Sequence, residues 1–311
     1  MARWCPAMLI VLLSGCAGNS TDDVFEPDPN CVPSCEGMEC GDDGCGGQCG
    51  QCDDGFKCRQ GQCVCGVCGG TCGECPEIDF VEVPAGTFVM GCVADAATVD
   101  KVCSSDELPP HTVAMESFLA GRYEVTVAQY RECVATGACL PAGDDSGCNG
   151  PKTGTDRHPI NCVTWEDASS YCMWAGARLG SESEWKYAAR GTDGRKYPWG
   201  NQGPTCLLAW TAVDNCAGPY TREVGSFPAG KSAFGCMDMA GNVSEWIEDP
   251  WHGNYKDAPD DGSVWQMDNP GAARIHRGGG YNARIEESRV YNRMSSPLTG
   301  SSKYLGFRCF Q

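Results

Sequence analysis

Apolar and polar positions alternate over Phe80-Val-Glu-Val-Pro-Ala-Gly-Thr-Phe-Val-Met-Gly91, with β-branched residues among them. This predicts a strand pair broken at Pro84-Ala-Gly86. His111-Thr-Val-Ala-Met-Glu-Ser-Phe118 alternates likewise. Three helices are predicted next, each from a start signal. Thr126 caps the first, with Gln129 three residues on and Gly137 at its end. Thr164 caps the second, with Asp167 at the third helical position and Gly176 at its end. Ser181 caps the third, followed by Glu184 and closed by Gly191. In each, the cap oxygen accepts from an orphan amide while the third residue reaches back to the cap. Ala168, Tyr171, Cys172 and Ala175 share one face of the second helix, and Trp185, Ala188 and Ala189 one face of the third, so these are core positions. Beyond Arg190 the chain is rich in Gly, Trp and Pro without a long period. Such a stretch needs side-chain networks, disulfides or ions to hold it.

Composition alters the picture at the N-terminal end. The chain has 311 residues, 25 of them cysteine. That density points to a disulfide-forming compartment. Twelve cysteines fall between Cys31 and Cys75, among Gly, Asp and Gln and almost nothing apolar. A segment of this kind is ordered by crosslinks, each worth about 2–4 kcal/mol. An even count fits six bridges and leaves their connectivity open. The run Cys40 to Cys52 resembles Gly/Cys-rich stalk modules of secreted bacterial proteins, and residues 31–77 read as such a stalk. CxxC steps occur at Cys49, Cys65 and Cys72, but no βαβ pattern surrounds them, so a redox reading is discounted.

Arg3 and the short apolar run Met8 to Leu13 form a signal region too short to span a bilayer. Leu13-Ser14-Gly15-Cys16 resembles a lipoprotein lipobox. The resemblance implies residues 1–15 as a cleaved signal peptide and a lipid on Cys16, hence a membrane partner and a cell-envelope location, outer-membrane or extracellular. Residues 16–30 read as a polar tether. The net charge of −18 excludes phosphate-backbone binding, so no nucleic-acid partner is expected.

A family resemblance enters with a series of motifs, in this order: Val83-Pro-Ala-Gly-Thr-Phe-Val-Met-Gly91, Tyr123-Glu-Val-Thr126, Val163-Thr-Trp-Glu-Asp-Ala168, Tyr171 to Leu179, Glu182 to Arg190, Tyr197-Pro-Trp-Gly-Asn201, Asp238-Met-Ala-Gly-Asn-Val-Ser-Glu-Trp246, Arg277-Gly-Gly-Gly-Tyr281 and Leu305-Gly-Phe-Arg-Cys309. Together they resemble the formylglycine-generating enzyme, or sulfatase-modifying factor, family over residues 78–311. The resemblance implies an α+β domain, a variant of the C-type-lectin-like fold with little regular structure. It also implies a Cys172–Cys309 disulfide. Local spacing suggests Cys92–Cys103, Cys133–Cys139, Cys148–Cys162 and Cys206–Cys216, which leaves Cys236 as a buried thiol.

The family's enzyme oxidises a cysteine of an unfolded sulfatase to formylglycine, with O2 and a copper(I) ion held by two thiolates. Soft thiolates suit Cu(I). Both lie just after the segment matching Gly278-Gly-Gly-Tyr281. Here the first falls at Ala283 and the second between Ile285 and Ser288, and neither is cysteine. From Met237 to Arg308 there is no cysteine at all. No catalytic residue is therefore named, and no copper is expected. His111, His158, His252 and His276 show no HxxxH or HExxH spacing. Glu286 and Glu287 read as solvated or paired with Arg284 and Arg289, and Ser288 has no local base. One family calcium site carries over by motif, with the side chains of Asp238 and Glu245 and the carbonyls of Gly241 and Val243 as ligands. Two hard carboxylates and a turn glycine suit that ion. A second calcium site is lost, because Trp210 stands where an Asn ligand is usual.

The main functional expectation is a lipid-anchored, non-oxidase binding or accessory protein. Its interaction surface would be a groove near Ala283, lined by Tyr281, Trp246 and Arg284, taking a protein, peptide or glycan ligand. The alternatives are a formylglycine-generating oxidase or another oxidoreductase acting on a protein, and a purely structural envelope protein.

Overall fold

A computed structural model describes residues 56–59, 62–65, 76–93, 103–213, 216, 218–269 and 271–311. The expected signal peptide, the expected tether and most of the expected stalk module lie outside the described residues. Within the stalk, β1 (Phe56–Arg59) and β2 (Gln62–Cys65) form an antiparallel hairpin.

The alternating segments of the main domain become β3 (Phe80–Val83), β4 (Gly86–Met90), β5 (His111–Met115) and β6 (Phe118–Gly121). The break at Pro84-Ala-Gly86 is where expected, but the two halves do not pair with each other. β3 pairs with β6 and β4 with β5, both antiparallel. The second alternating run also splits, at Glu116-Ser117, so that each piece finds its own partner.

The helices are α1 (Val127–Ala135), α2 (Trp165–Trp174) and α3 (Glu182–Arg190). Each starts at its expected cap, with the reciprocal capping pair formed. Gly137, Gly176 and Gly191 follow their C-termini with positive φ, where an L side chain would be strained. The face carrying Ala168, Tyr171, Cys172 and Ala175 is buried. In α3, burial extends round the whole helix, to Glu182, Glu184, Lys186 and Arg190 as well as Trp185, Ala188 and Ala189.

The C-terminal half carries a four-stranded sheet in the order β10-β7-β8-β9, built from β7 (Ser244–Pro250), β8 (Arg274–Arg277), β9 (Met294–Ser296) and β10 (Leu305–Gly306). β10 runs parallel to β7, and the other pairs are antiparallel. Two apolar clusters result. One joins α3 to the N-terminal strands through Phe88, Phe118, Trp185, Tyr187, Ile247 and Phe310. The other joins α1 and α2 to the C-terminus through Tyr130, Tyr171, Trp174, Trp246 and Phe307.

The irregular stretches are held as their composition requires. Disulfides join Cys92–Cys103, Cys133–Cys139, Cys148–Cys162, Cys172–Cys309 and Cys206–Cys216, and Cys236 is a buried free thiol. Buried ion pairs do the rest. Glu182 takes Arg293 at 2.7 and 2.9 Å, and Glu107 takes Arg289 at 2.9 Å. Burial alone would raise the Glu182 pKa, but Arg293 and then Arg277 hold it below its usual value. These pairs explain how a helix can bury its charged face.

Candidate functional site

Two loops meet at the expected site. The turn Asp238–Val243 leaves strand-like geometry, with positive φ at Asp238, Gly241 and Asn242. The Gly278-Gly-Gly280 turn packs against it. Gly241 N–H donates to the Gly278 carbonyl at 3.1 Å, and Tyr281 N–H to the Asn242 carbonyl at 2.8 Å. Gly279 has to be glycine: its φ is +70°, and a Cβ there would lie 2.8 Å from the Ala283 Cβ and 2.9 Å from the Glu287 carbonyl oxygen. Beyond this turn, Ala283 N–H donates to Gly280 and the Ala283 carbonyl accepts from Ala212 N–H.

The positions at which the family's cysteines are expected carry other groups. Ala283 presents a methyl that is 2 % exposed. Ile285 is exposed, and Ser288 is buried with its hydroxyl donating to the Arg284 carbonyl at 3.0 Å. Glu287 accepts from the Arg284 backbone N–H at 2.7 Å. Arg289 reaches Glu107 with Nη2 while its Nε donates to the Glu286 carbonyl, and the Glu286 side chain is exposed, the solvated one of the two expected states. The free thiol among the described residues, Cys236, is fully buried, and burial pushes its pKa up.

A cleft of about 200 Å³ opens beside Ala283. Its wall differs from the expected one. Trp246 is buried with its indole N–H on the Val163 carbonyl, Tyr281 is buried, and neither lines the cleft, nor does Arg284. The lining comes instead from Ser244, His276, Asn282, Glu287, Ser296 and Tyr304, with Ala283 and neighbouring backbone. His276 stands between two hydroxyls: Ser244 Oγ is 2.7 Å from its Nδ1 and Ser296 Oγ 3.2 Å from its Nε2. Burial pushes the His276 pKa down to about 4, against the opposing Ser295 backbone, so the ring is neutral near pH 7. The chain's histidine spacing gave no sign of this constellation. The signal available was the adjacency of His276 to Arg277-Gly-Gly-Gly280 and of Ser244 to Glu245, both inside site-forming motifs.

Of the residues expected to hold calcium, Asp238 and Glu245 are buried near one another, with one complication. Glu245 is fully buried, and its Oε2 accepts from Trp185 Nε1 at 2.8 Å and Arg308 Nε at 2.6 Å, while Oε1 accepts from Arg308 Nη2 at 2.6 Å. Only Oε1 keeps a lone pair for an ion. Asp238 Oδ2 accepts from Gly225 N–H at 2.6 Å. A third buried carboxylate, Glu124, was not foreseen. It accepts from Asn242 Nδ2 at 3.2 Å, and its Oε1 has no partner. Burial, then the charges of Asp238 and Glu245, raise the Glu124 pKa well above its usual value. Burial likewise raises Asp238 to about 6. Three buried carboxyl groups thus share Arg308, and a divalent cation would offset the charge they carry when ionised. At the expected second site, Trp210 stacks on Phe227 at 5.9 Å and donates to the Tyr220 carbonyl.

Comparison with known proteins fits this geometry. The family model for the sulfatase-modifying factor enzyme 1-like domain matches residues 71–311. The formylglycine-generating enzyme of Thermomonospora curvata is 29% identical over 282 residues, 74% of this chain and 92% of the relative. The hercynine oxygenase of Mycolicibacterium smegmatis is 34% identical, over 55% of this chain and 45% of its own length. The solved structure of PvdO from Pseudomonas aeruginosa is 32% identical with a TM-score of 0.64, covering 74% of this chain and 93% of PvdO. With the match over residues 71–311 and this mixed helix and strand domain of few regular elements, the chain belongs to the sulfatase-modifying factor enzyme 1-like family.

Proposed function

We propose that this protein is a non-oxidase member of its family, a binding or accessory protein tethered to the cell envelope by a lipid on Cys16. The observation that carries the proposal is the buried methyl of Ala283, next to the cleft and with no thiol partner in the segment from Ile285 to Ser288. Two sulfur donors are what Cu(I) needs, and methyl, hydroxyl and carboxylate groups do not substitute for them. The cleft takes a polar ligand, of protein, peptide or glycan class, through Asn282, Glu287 and the serine hydroxyls. Calcium, held by the side chains of Asp238 and Glu245 and the carbonyls of Gly241 and Val243, offsets the buried charge and stiffens the turn under the cleft.

The test is to incubate the disulfide-intact protein with Cu(I), oxygen and a cysteine peptide of the sulfatase type, and to look for an aldehyde by mass spectrometry. No aldehyde is expected. Aldehyde above the level of a copper-only control contradicts the proposal.

The likeness to hercynine oxygenase favours a second reading, oxidation of a small molecule. Against it, the grouping of Cys92, Cys103 and Glu107, whose ligand atoms lie within 4.8 Å of one another, has its two cysteines joined in a disulfide.

A further inference from the structure

The hydrogen bonds around His276 have a direction. Ser244 Oγ is 3.0 Å from the Arg277 carbonyl and 2.7 Å from His276 Nδ1. A hydroxyl has one proton. The carbonyl can only accept, so the tautomer that satisfies the most partners has Ser244 give its proton there and accept from Nδ1–H. The neutral ring then carries its lone pair on Nε2, which faces Ser296 Oγ at 3.2 Å. Proton donation thus runs one way, from Ser296 to His276 to Ser244 to the Arg277 carbonyl. Ser244 is 3 % exposed and anchored in β7, so it fixes the ring's tautomer and orientation. His276 is further held edge-on to Trp246, with ring centres 5.7 Å apart. Ser296, at the end of β9, is half-buried and lines the cleft.

A hydroxyl facing the free nitrogen of an oriented imidazole, in a cleft open to solvent, is the geometry of a nucleophile and its base, here a weak base because burial disfavours the protonated ring. We propose that the cleft is an acyl-transfer site, with Ser296 as nucleophile, His276 as general base and Ser244 as a positioning residue, acting on a small carboxylic ester. Ser296 Oγ forms a bond to the acyl carbon while its proton passes to His276 Nε2. The bond to the alcohol oxygen breaks, and His276 returns the proton to the leaving alcohol. Water, deprotonated in turn by His276, then cleaves the acyl-serine to a carboxylic acid and free Ser296. No oxidant or metal enters the balance. The inference rests on the cleft being the non-oxidase ligand site proposed above.

The test uses the full chain with its disulfides intact and two probes, a fluorophosphonate and a short-chain p-nitrophenyl ester. The expected result is one fluorophosphonate adduct per chain, mapped to Ser296, together with ester turnover. Ser296→Ala abolishes both while keeping the melting transition. His276→Gln lowers the adduct rate by about 10²-fold or more, the range for loss of a general base. Ser244→Ala slows the adduct and lowers kcat for the ester while leaving KM little changed, a split that mere loss of packing does not produce. The proposal is overturned if wild-type protein takes no adduct at Ser296, or if ester turnover survives Ser296→Ala unchanged, in which case the serines serve only to satisfy a buried imidazole. An aldehyde in the sulfatase-peptide assay sinks the non-oxidase reading whatever the probe shows. A negative aldehyde assay with a negative probe leaves that reading standing and removes the acyl-transfer site alone.

Discussion

Glu245 illustrates what a single buried charge demands. Its partner, Arg308, lies 63 residues on and reaches both carboxylate oxygens from a fully buried position. Arg308 also donates to the carbonyls of Gly121 and Met237, so one side chain ties three segments together. Arg308→Leu strands a carboxylate in the core, and it is expected to cost about 3–5 kcal/mol in urea unfolding. Glu245→Gln with Arg308→Met should recover most of that loss, since removing both charges removes the desolvation penalty. Asp249 behaves in the opposite sense. It accepts from the Glu182 and Trp265 backbone N–H groups, yet burial first and the Glu182 charge second raise its pKa to about 7. A carboxyl raised above its unfolded value near 3.9 stabilises the fold fully below about pH 4, and that contribution is lost as pH rises through 7. Stability should therefore fall across this window, and Asp249→Asn should flatten the fall in urea titrations run at several pH values. An unchanged slope would contradict the assignment. Glu245 was legible as a site residue because it sits in a compact motif. Glu124, Arg308 and Ser244 also sit in motifs, but their roles were not legible, because the groups they meet come from distant segments and no local period links them.

At the scale of elements, the helix starts were the most legible feature. Thr126, Thr164 and Ser181 each meet the glutamine or acid three residues on, a short-range relation that distant packing does not override. Ser181 does more than cap. Its hydroxyl donates to the Gly262 carbonyl at 2.7 Å and accepts from Glu184 N–H at 3.1 Å. Ser181→Ala should cost about 1–2 kcal/mol, at the upper end for a cap, and Thr126→Ala about 1 kcal/mol, both read from thermal or urea unfolding. Equal losses at the two sites would show that the Gly262 bond adds nothing. Strand positions were legible from alternation, but strand partners were not. β3 and β4 are separated by two residues and still pair with different strands, because the Pro84-Ala85 break is no hairpin turn. The all-round burial of α3 was hidden too, since Glu182 is covered by Arg293 from the chain that follows the helix and Lys186 by the Gly91 carbonyl from the chain far ahead of it.

The whole molecule is a small amount of regular structure held by covalent and ionic ties. The bridge from α2 to the C-terminus, Cys172–Cys309, closes 137 residues. Cys172→Ser with Cys309→Ser is expected to cost about 2–5 kcal/mol, a loss visible in thermal melting under otherwise oxidising conditions. The turn pair at Asp238–Val243 and Gly278–Gly280 is interlocked by hydrogen bonds, while the adjacent segment from Ala283 to Ser288 contains no cysteine. Calcium should raise the melting temperature of chelator-treated protein, and Asp238→Asn should blunt that rise. A melting curve indifferent to calcium would remove the ion from the account.

The absence of a thiolate pair beside the cleft is tested most directly by titrating the disulfide-intact protein with Cu(I) against a competing chelator. The predicted outcome is no stoichiometric binding in residues 78–311. One tightly held Cu(I) per chain, protected by the segment from Tyr281 to Ser288, would contradict it.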